Sequence, residues 1–199
     1  MRYQTPMALD FALKSATPAA WCDVVLADFD TFLVDHAACE RKASAVGMSF
    51  VTRYPDRPAL LGPMIQFARE ELRHFHDVYR VMEARGLTLG NDSEDPYAKA
   101  LLKDVRFSRD ERLLDRLLVA AMIETRSHER LAMLAERLTD ETLRRFYERL
   151  SQAEAAHRTF FVDMALLFFS ENVVKERLDF FLTKEAEAIA AQPIVARVH

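Results

Sequence analysis

The chain has 199 residues, half of them hydrophobic and 29% charged, which is enough apolar material for a globular domain with a sizeable core. Its formal net charge of -4 does not indicate a nucleic-acid-binding protein, although a local basic face can occur on an acidic protein. The two cysteines, Cys22 and Cys39, are too few for a disulfide framework or a cysteine-based metal site.

The sequence also argues against export and against membrane insertion. Asp10, Lys14 and several prolines interrupt the amino-terminal segment, so it lacks the apolar stretch of a signal peptide. The longest strongly apolar run, Met164 to Phe169, is far too short to span a bilayer. We therefore expect a protein that works in the cytoplasm and has no membrane contact.

Apolar residues recur at helical spacing along nearly the whole chain, and no alternating run indicates a strand. Gly86 is suited to end the second long helix, and Thr139 is suited to cap the start of the fourth. The predicted long helices span about 28–54, 58–86, 108–138 and 139–169, followed by a last helix at about 173–191; short helices are expected near 18–26 and 97–103.

Two helical hairpins joined by one long connection form the arrangement of a ferritin-like four-helix bundle. We therefore predict an all-α fold, organised as a single ferritin-like domain over residues 1–199. Its long crossover lies between the second and third bundle helices, and short extra helices lie at both ends.

Each of the four long helices carries one glutamate near the middle of its apolar stripe. In the second and fourth helices a histidine follows three residues later, on the same helical face. The glutamates are separated by 31 residues in the first pair of helices and by 30 in the second. Each interval is long enough for the chain to finish one helix, reverse direction and bring the second glutamate to the height of the first. The six residues are Glu40, Glu71, His74, Glu124, Glu154 and His157.

Buried glutamates are costly unless a positive charge compensates them. Four carboxylates and two imidazoles suit two divalent ions of the iron or manganese type, and the ligand set alone does not choose between those metals. The sequence therefore predicts a dinuclear metal site in the core, with these six residues as ligands.

The remaining histidines carry weaker signals. His36 lies one turn before Glu40, where it either orients that carboxylate or is a satisfied core histidine. A structural role is favoured for His128, which lies one turn after Glu124. His76 points away from the face of Glu71, and His199 offers no pattern to interpret.

Several segments resemble a known family, the tRNA-(2-methylthio-N6-isopentenyladenosine) hydroxylases called MiaE. The resemblance covers most of the chain from Thr17 onwards. The segments that carry it are "TPAAW" (17–21), "LVDHAACERKA" (33–43), "FAREELRHFHDV" (67–78), "LLVAAMIETRSHERL" (117–131) and "YERLSQAEAAHRTFF" (147–161).

The resemblance implies a non-haem di-iron monooxygenase. Such an enzyme uses dioxygen and two electrons from an external donor, such as a ferredoxin-type system, to hydroxylate the isopentenyl group of a modified adenosine beside the tRNA anticodon. Carried over by position, the six residues above become the iron ligands. Basic residues near the site would contact tRNA phosphates, and the candidates are Arg41, Lys42, Arg53, Arg73, Arg80 and Arg126.

Two other classes remain open at this point. A ferritin-like protein for iron storage or peroxide detoxification would share the ligands but act on no organic substrate. A metal-free helical interaction protein would leave four core carboxylates without compensation. The family resemblance favours the tRNA hydroxylase.

Overall fold

The computed structural model describes residues 9–91 and 94–199, so residues 1–8 of the expected lead-in and residues 92–93 of the acidic connection lie outside it. The described residues contain no strand. Their helices are α1 (Ala20–Ala27), α2 (Phe29–Arg53), α3 (Pro58–Ala84), α4 (Pro96–Leu102), α5 (Arg109–Arg137), α6 (Glu141–Leu166) and α7 (Glu171–Ala190).

The described residues form two compact units, so a single domain over residues 1–199 stays a prediction. The α2–α3 unit consists of residues 20–91 with Ile194–Val198, and it contains α1, α2 and α3. The α5–α6 unit consists of residues 9–19 with Glu94–Pro193 and His199, and it contains α4 to α7.

In the α2–α3 unit, local signals determine where the helices begin and end. Asp28 caps α2 by accepting a hydrogen bond from the backbone N–H of Thr31. Gly86 follows α3 with a φ of 72°, a left-handed conformation that only glycine adopts without strain, and the N–H of Leu87 bonds back to the carbonyl of Met82 (3.0 Å). The predicted role of Gly86 in ending this helix is confirmed.

The two helices of this hairpin approach each other closely at Gly47. A Cβ atom placed there would lie 2.9 Å from Cδ1 of Phe67, closer than real Cβ contacts allow, and 3.0 Å from Cβ of Ala68, which is tighter than most of them. One turn earlier, the hydroxyl of Ser44 donates a hydrogen bond to the carbonyl of Ala68 (2.8 Å). Small residues on α2 therefore set the spacing and the register of the hairpin.

In the α5–α6 unit, α6 begins at Glu141, two residues after the predicted start at 139. Asp140 is the cap residue, because its carboxylate accepts the N–H of Leu143 (2.9 Å), so the prediction of Thr139 as cap is wrong by one residue. The helix ends at Leu166, three residues before the predicted end, because the N–H groups of Phe168 and Phe169 both bond to the carbonyl of Ala165 in a terminal turn.

The apolar stripes predicted from the sequence are largely buried, with Leu33, Phe50, Met64, Leu117 and Phe161 at 2% exposure or less. The polar members of those stripes are buried among them. Within residues 9–91 and 94–199, no helix combines the length and the hydropathy needed to cross a membrane.

Candidate metal centre

The α2–α3 unit carries the first set of buried ligand-type side chains. Glu40 lies in the middle of α2, and Glu71 and His74 lie one helical turn apart on α3; all three are at most 6% exposed. Nδ1 of His74 is 3.7 Å from Oε2 of Glu71 and 3.8 Å from Oε2 of Glu40. These separations exceed a hydrogen bond, and they match the roughly 3–4 Å expected between atoms that bind one ion at about 2.1 Å each.

His36 is in contact with this set. It is 1% exposed, and its Nε2 lies 2.7 Å from Oε1 of Glu40, one turn further along α2. The imidazole therefore engages one carboxylate oxygen of Glu40, while the other oxygen faces His74. Of the two interpretations left open by the sequence, the geometry favours the one in which His36 orients Glu40.

The α5–α6 unit carries the second set. Glu124 on α5 and Glu154 and His157 on α6 are each at most 5% exposed. Nδ1 of His157 lies 3.2 Å from Oε2 of Glu154. The pattern of the first set is repeated, with one glutamate on the first helix of a hairpin and a Glu-x-x-His pair on the second.

Each hairpin also contains a matching bridge one turn from its ligands. Four residues after Glu124, Nδ1 of His128 donates to the carbonyl of Ser151 (2.9 Å), which lies three residues before Glu154. In the other hairpin, Ser44 occupies the position four residues after Glu40, and the carbonyl of Ala68 that it contacts lies three residues before Glu71. The favoured structural role of His128 agrees with this contact.

The chemistry of the donors fits divalent metal ions. Each unit supplies two carboxylates and one imidazole, and burial of carboxylates without a compensating charge costs several kcal/mol per ion. Carboxylate and imidazole ligands together suit iron and manganese. Because all six side chains are buried, their charge requires internal compensation, which divalent cations are suited to provide.

The basic residues predicted to contact tRNA fall into two groups. Arg41, Arg53, Arg73 and Arg80 are exposed, and Lys42 is partly exposed. Arg126 is different, because it is fully buried (0% exposed) in α5. A guanidinium in that position has no access to a phosphate, so the prediction that Arg126 contacts tRNA is wrong.

Arg126 instead organises a buried ionic cluster. Its Nε donates to Oε1 of Glu185 on α7 (2.8 Å), and its other nitrogens donate to the hydroxyl of Thr17 (2.9 Å) and the carbonyl of Ser15 (2.8 Å). Burial raises the pKa of Glu185, although Arg126 opposes that effect. The cluster therefore ties residues 15–17 and α7 to α5, two residues beyond Glu124.

His199, for which the sequence offered no pattern, is buried in the α5–α6 unit. Its Nε2 lies 2.8 Å from the hydroxyl of Ser127, its Nδ1 lies 3.3 Å from Oδ2 of Asp95, and its ring stacks on Tyr97. Burial alone would raise the pKa of Asp95, but His199 and two backbone N–H groups hold it at about 2.

The contact series of Asp95, His199 and Ser127 resembles a hydrolytic triad only in its residue types. Ser127 lies inside α5, where the backbone N–H groups are used by the helix and are not available to stabilise an oxyanion. We therefore regard these contacts as an anchor that holds His199 against Tyr97 of α4 and Ser127 of α5. Only a long-range contact reveals this role, since His199 is 72 residues from Ser127.

The sequence matches the family model described as tRNA-(MS[2]IO[6]A)-hydroxylase (MiaE) over residues 4–199. A protein of Pseudomonas putida named tRNA 2-(methylsulfanyl)-N(6)-isopentenyladenosine(37) hydroxylase is 37% identical over 191 residues, which cover 96% of this chain and 93% of that protein. A protein of Salmonella typhimurium with the same name is 36% identical over 140 residues, 70% of this chain and 51% of the relative.

A solved structure is similar in fold. It is described as Protein 43 with aldehyde deformylating oxygenase activity from Synechococcus, with a TM-score of 0.88, 34% identity and 94% of each chain covered. The similarity, together with the all-helical architecture, confirms the predicted all-α, ferritin-like fold class.

Proposed function

The chain belongs to the MiaE family of tRNA hydroxylases, and we propose that it hydroxylates the isopentenyl group of (2-methylthio)-N6-isopentenyladenosine beside the anticodon of tRNA. The family supplies the substrate class. The observation that carries the proposal is the repeated set of buried ligand-type side chains, one set in each hairpin. The reaction is a monooxygenation that uses dioxygen and two electrons.

Two iron ions are the proposed cofactor. The first unit contributes Glu40, Glu71 and His74, and the second contributes Glu124, Glu154 and His157. The four carboxylates carry four negative charges, which two divalent ions balance when both imidazoles are neutral. When bound, such a pair supplies the dioxygen-activating redox chemistry that no amino-acid side chain provides.

The overall stoichiometry defines what else is needed. One oxygen atom of dioxygen enters a C–H bond of the isopentenyl group, and the other leaves as water after uptake of two electrons and two protons. The electrons come from an external donor, for which a ferredoxin-type system is the proposed class. The protein must therefore bind tRNA, admit dioxygen and keep bulk water away from the reacting carbon.

The side chains of this protein meet the last requirement. Glu71 is followed on its helical face by Val78 and preceded by Phe67, which are 0% and 2% exposed. On α6, Leu150 and Phe161 flank Glu154 and His157 and are 5% and 0% exposed. Apolar surroundings on each hairpin limit water at the carboxylates, which strengthens their electrostatic interaction with bound cations.

His36 restricts the geometry of one ligand. A hydrogen bond from its Nε2 to Oε1 of Glu40 (2.7 Å) leaves Oε2 as the oxygen that faces His74. An imidazole that donates to a ligating carboxylate limits its rotation and lowers the entropic cost of metal binding. The corresponding position on α5, four residues before Glu124, is Ala120, so this restraint exists on one hairpin only.

A second candidate reaction rests on the structural neighbour. The Synechococcus protein is described by an aldehyde deformylating oxygenase activity, and its chain is 34% identical to this one. The same fold therefore accompanies a different oxygenase chemistry in that protein. Aldehyde deformylation is the second candidate here, and iron storage or peroxide removal is a third outcome that the shared ligands permit.

The test supplies iron-loaded protein with tRNA that contains the methylthio-isopentenyl nucleoside, dioxygen and a reducing system. Mass spectrometry of the digested tRNA is expected to show one added oxygen atom on the modified adenosine. Glu154→Ala is expected to lose bound iron and product together while remaining helical. Glu148→Ala, an exposed glutamate on the same helix, is the matched control and should retain both.

An unmodified tRNA would contradict the proposal if the protein binds two irons and consumes dioxygen. The same preparation is then given a long-chain aldehyde, and separately excess ferrous iron and peroxide. A hydrocarbon product would support deformylation, and deposition of ferric iron without any organic product would support storage or detoxification. Unchanged iron content in Glu154→Ala would remove this residue from the ligand set.

A further inference from the structure

Charge is unevenly distributed along the α2–α3 hairpin. We define its turn half as residues 41–70, which run from just beyond Glu40 through the turn to just before Glu71. The basic residues of the turn half outnumber its acidic ones by five to two, although the whole chain has a net charge of -4. The basic residues are Arg41, Lys42, Arg53, Arg57 and Arg69, and the acidic ones are Asp56 and Glu70.

The other half of the same two helices has the opposite sign. Residues 28–39 and 74–84 contain five acidic side chains and a single Arg or Lys. These are Asp28, Asp30, Asp35, Asp77 and Glu83, with Arg80 as the basic one. The change of sign occurs at the level of Glu40 and Glu71, so the basic surface begins next to the proposed ligands.

Each helix of the turn half presents a continuous exposed stripe. On α2 the stripe follows helical spacing through Arg41, Ala45, Met48 and Thr52, all of which are exposed. Between residues 62 and 73 of α3 the exposed positions are Gly62, Ile65, Gln66, Arg69, Leu72 and Arg73, of which the last two lie just beyond the turn half. The contact of Ser44 with Ala68 sets the register of the antiparallel pair, so Met48 lies at the level of Ile65, and Arg41 lies at the level of Leu72.

These stripes combine arginines with large apolar side chains that remain in solvent. Met48 is 46% exposed, Ile65 is 41% exposed and Leu72 is 55% exposed. Arginine suits bidentate contacts with phosphate, and exposed apolar side chains suit packing against unstacked bases. A surface that contains both is complementary to a single-stranded loop of RNA and its flanking backbone.

We propose that the turn half of the α2–α3 hairpin is the docking surface for the anticodon stem-loop of the tRNA substrate. This inference rests on the proposed function, which makes tRNA the macromolecular substrate. Arg53 lies 13 residues beyond Glu40, or roughly 20 Å along a helix with a 1.5 Å rise per residue. The surface therefore extends far enough to contact several consecutive phosphates while the modified base lies near the level of Glu40.

The proposed docking surface changes which basic residues are expected to contact tRNA, compared with the set predicted from the sequence. Arg41, Lys42 and Arg53 remain in it, and Arg57 and Arg69 are added because they lie in the same half. Arg73 lies at its boundary. Arg80 lies in the acidic half and is excluded.

The test measures binding of the labelled anticodon stem-loop to the iron-loaded protein by fluorescence anisotropy, without dioxygen, reductant or donor protein. Arg53→Glu/Arg69→Glu reverses two exposed charges of the turn half. Arg145→Glu/Arg149→Glu makes the same change of net charge on exposed positions of α6 and is the matched control. Arg53→Gln/Arg69→Gln removes the two charges without adding negative ones. Circular dichroism and iron content verify that each variant is folded and loaded.

We expect the turn-half reversal to raise Kd about tenfold or more near 0.1 M salt. The negative slope of the logarithm of the association constant against log salt should become shallower by about 1 to 2. The glutamine variant should show a smaller change in the same direction, and the α6 control should change Kd less than twofold. Equal weakening by both reversals would overturn the proposal, because net charge and not position would then explain the effect.

Failure of the docking proposal is separable from failure of the proposed function. Wild-type affinity in the turn-half variant, with product still formed by the wild-type protein, would overturn the docking surface alone. If that variant also slowed only the turnover supported by a donor protein, the surface would belong to the electron donor. If the variant loses tRNA binding and the wild-type protein forms no product, the docking proposal would stand and the proposed hydroxylation would be refuted.

Discussion

The two hairpins carry the same pattern of ligand-type residues but hold it in place by different means. In the α2–α3 unit, small residues permit close helix packing at Gly47, and His36 contacts Glu40 directly. In the α5–α6 unit, the corresponding restraint is ionic, because Arg126 joins α5 to Glu185 on α7 and to residues 15–17. A repeated ligand pattern therefore does not require repeated packing.

The difference has a physical reason. A glycine contact stabilises a hairpin through dispersion forces between its two helices and needs nothing outside them. A buried arginine needs acceptors from several elements, so it couples the hairpin to segments remote in sequence. Four predictions test this comparison.

The largest effect is expected from Arg126→Met, which removes the guanidinium that pairs with the buried carboxylate of Glu185. Breaking a buried ion pair from one side typically costs 3–5 kcal/mol. Urea denaturation should show a loss of about that size in the free energy of unfolding. Arg144→Met, which removes a solvent-exposed ion pair with Glu141, should cost far less; equal losses in both variants would contradict the importance of burial.

Gly47→Ala should destabilise the α2–α3 hairpin, because the new Cβ would overlap Phe67 and Ala68 and also lie 3.2 Å from the carbonyl of Met64. Overpacking costs about 1–3 kcal/mol, and the better helix propensity of alanine offsets up to about 1 kcal/mol of that. Thermal unfolding should therefore show a lower midpoint.

Gly62→Ala is the control for this substitution. A Cβ at Gly62, also within a helix of the hairpin, would meet no atom within 4 Å, so the propensity gain alone should raise stability by about 0.5–1 kcal/mol. A stabilising effect at both glycines would show that the close contact at Gly47 relaxes without cost.

Loss of either of the two hydrogen-bonded bridges next to the proposed ligands should reduce stability by the same amount. Ser44→Ala and His128→Ala each remove one hydrogen bond to a carbonyl of the facing helix, and each should reduce the free energy of unfolding by about 1 kcal/mol. Denaturant titration of both variants checks this. Loss of iron from His128→Ala without any loss of stability would instead assign that histidine to the metal centre.

The most specific effect is expected from His36→Ala, which acts on metal affinity and makes the α2–α3 ligand set resemble the other one, where Ala120 occupies the equivalent position. Removal of a residue that orients a metal ligand typically weakens metal binding by 10–100-fold, and we expect about tenfold, or about 1.4 kcal/mol. Competition with a chelator should show one of two irons released earlier. Unchanged release would assign His36 to core packing.

Local signals in the sequence were sufficient for the helical architecture and for the six buried residues of the proposed centre. The helical period and the Glu-x-x-His spacing are properties of neighbouring residues, so they place Glu71 and His74 on one face without tertiary information. The same argument placed Glu154 and His157, which the structure finds buried. The prediction of Thr139 as the cap of α6 was wrong by one residue, because Thr139 and Asp140 both suit that position and the structure uses Asp140.

The sequence by itself therefore determined the helices, their apolar faces and the buried glutamates and histidines. Only the tertiary structure decided that Arg126 is enclosed by partners 59 and 109 residues away, and that His199 is anchored against Ser127. Helical periodicity reports which face of a helix is apolar, but it contains no information about which distant segment covers a flank. An arginine on such a flank looks the same in sequence whether it meets solvent or a buried carboxylate.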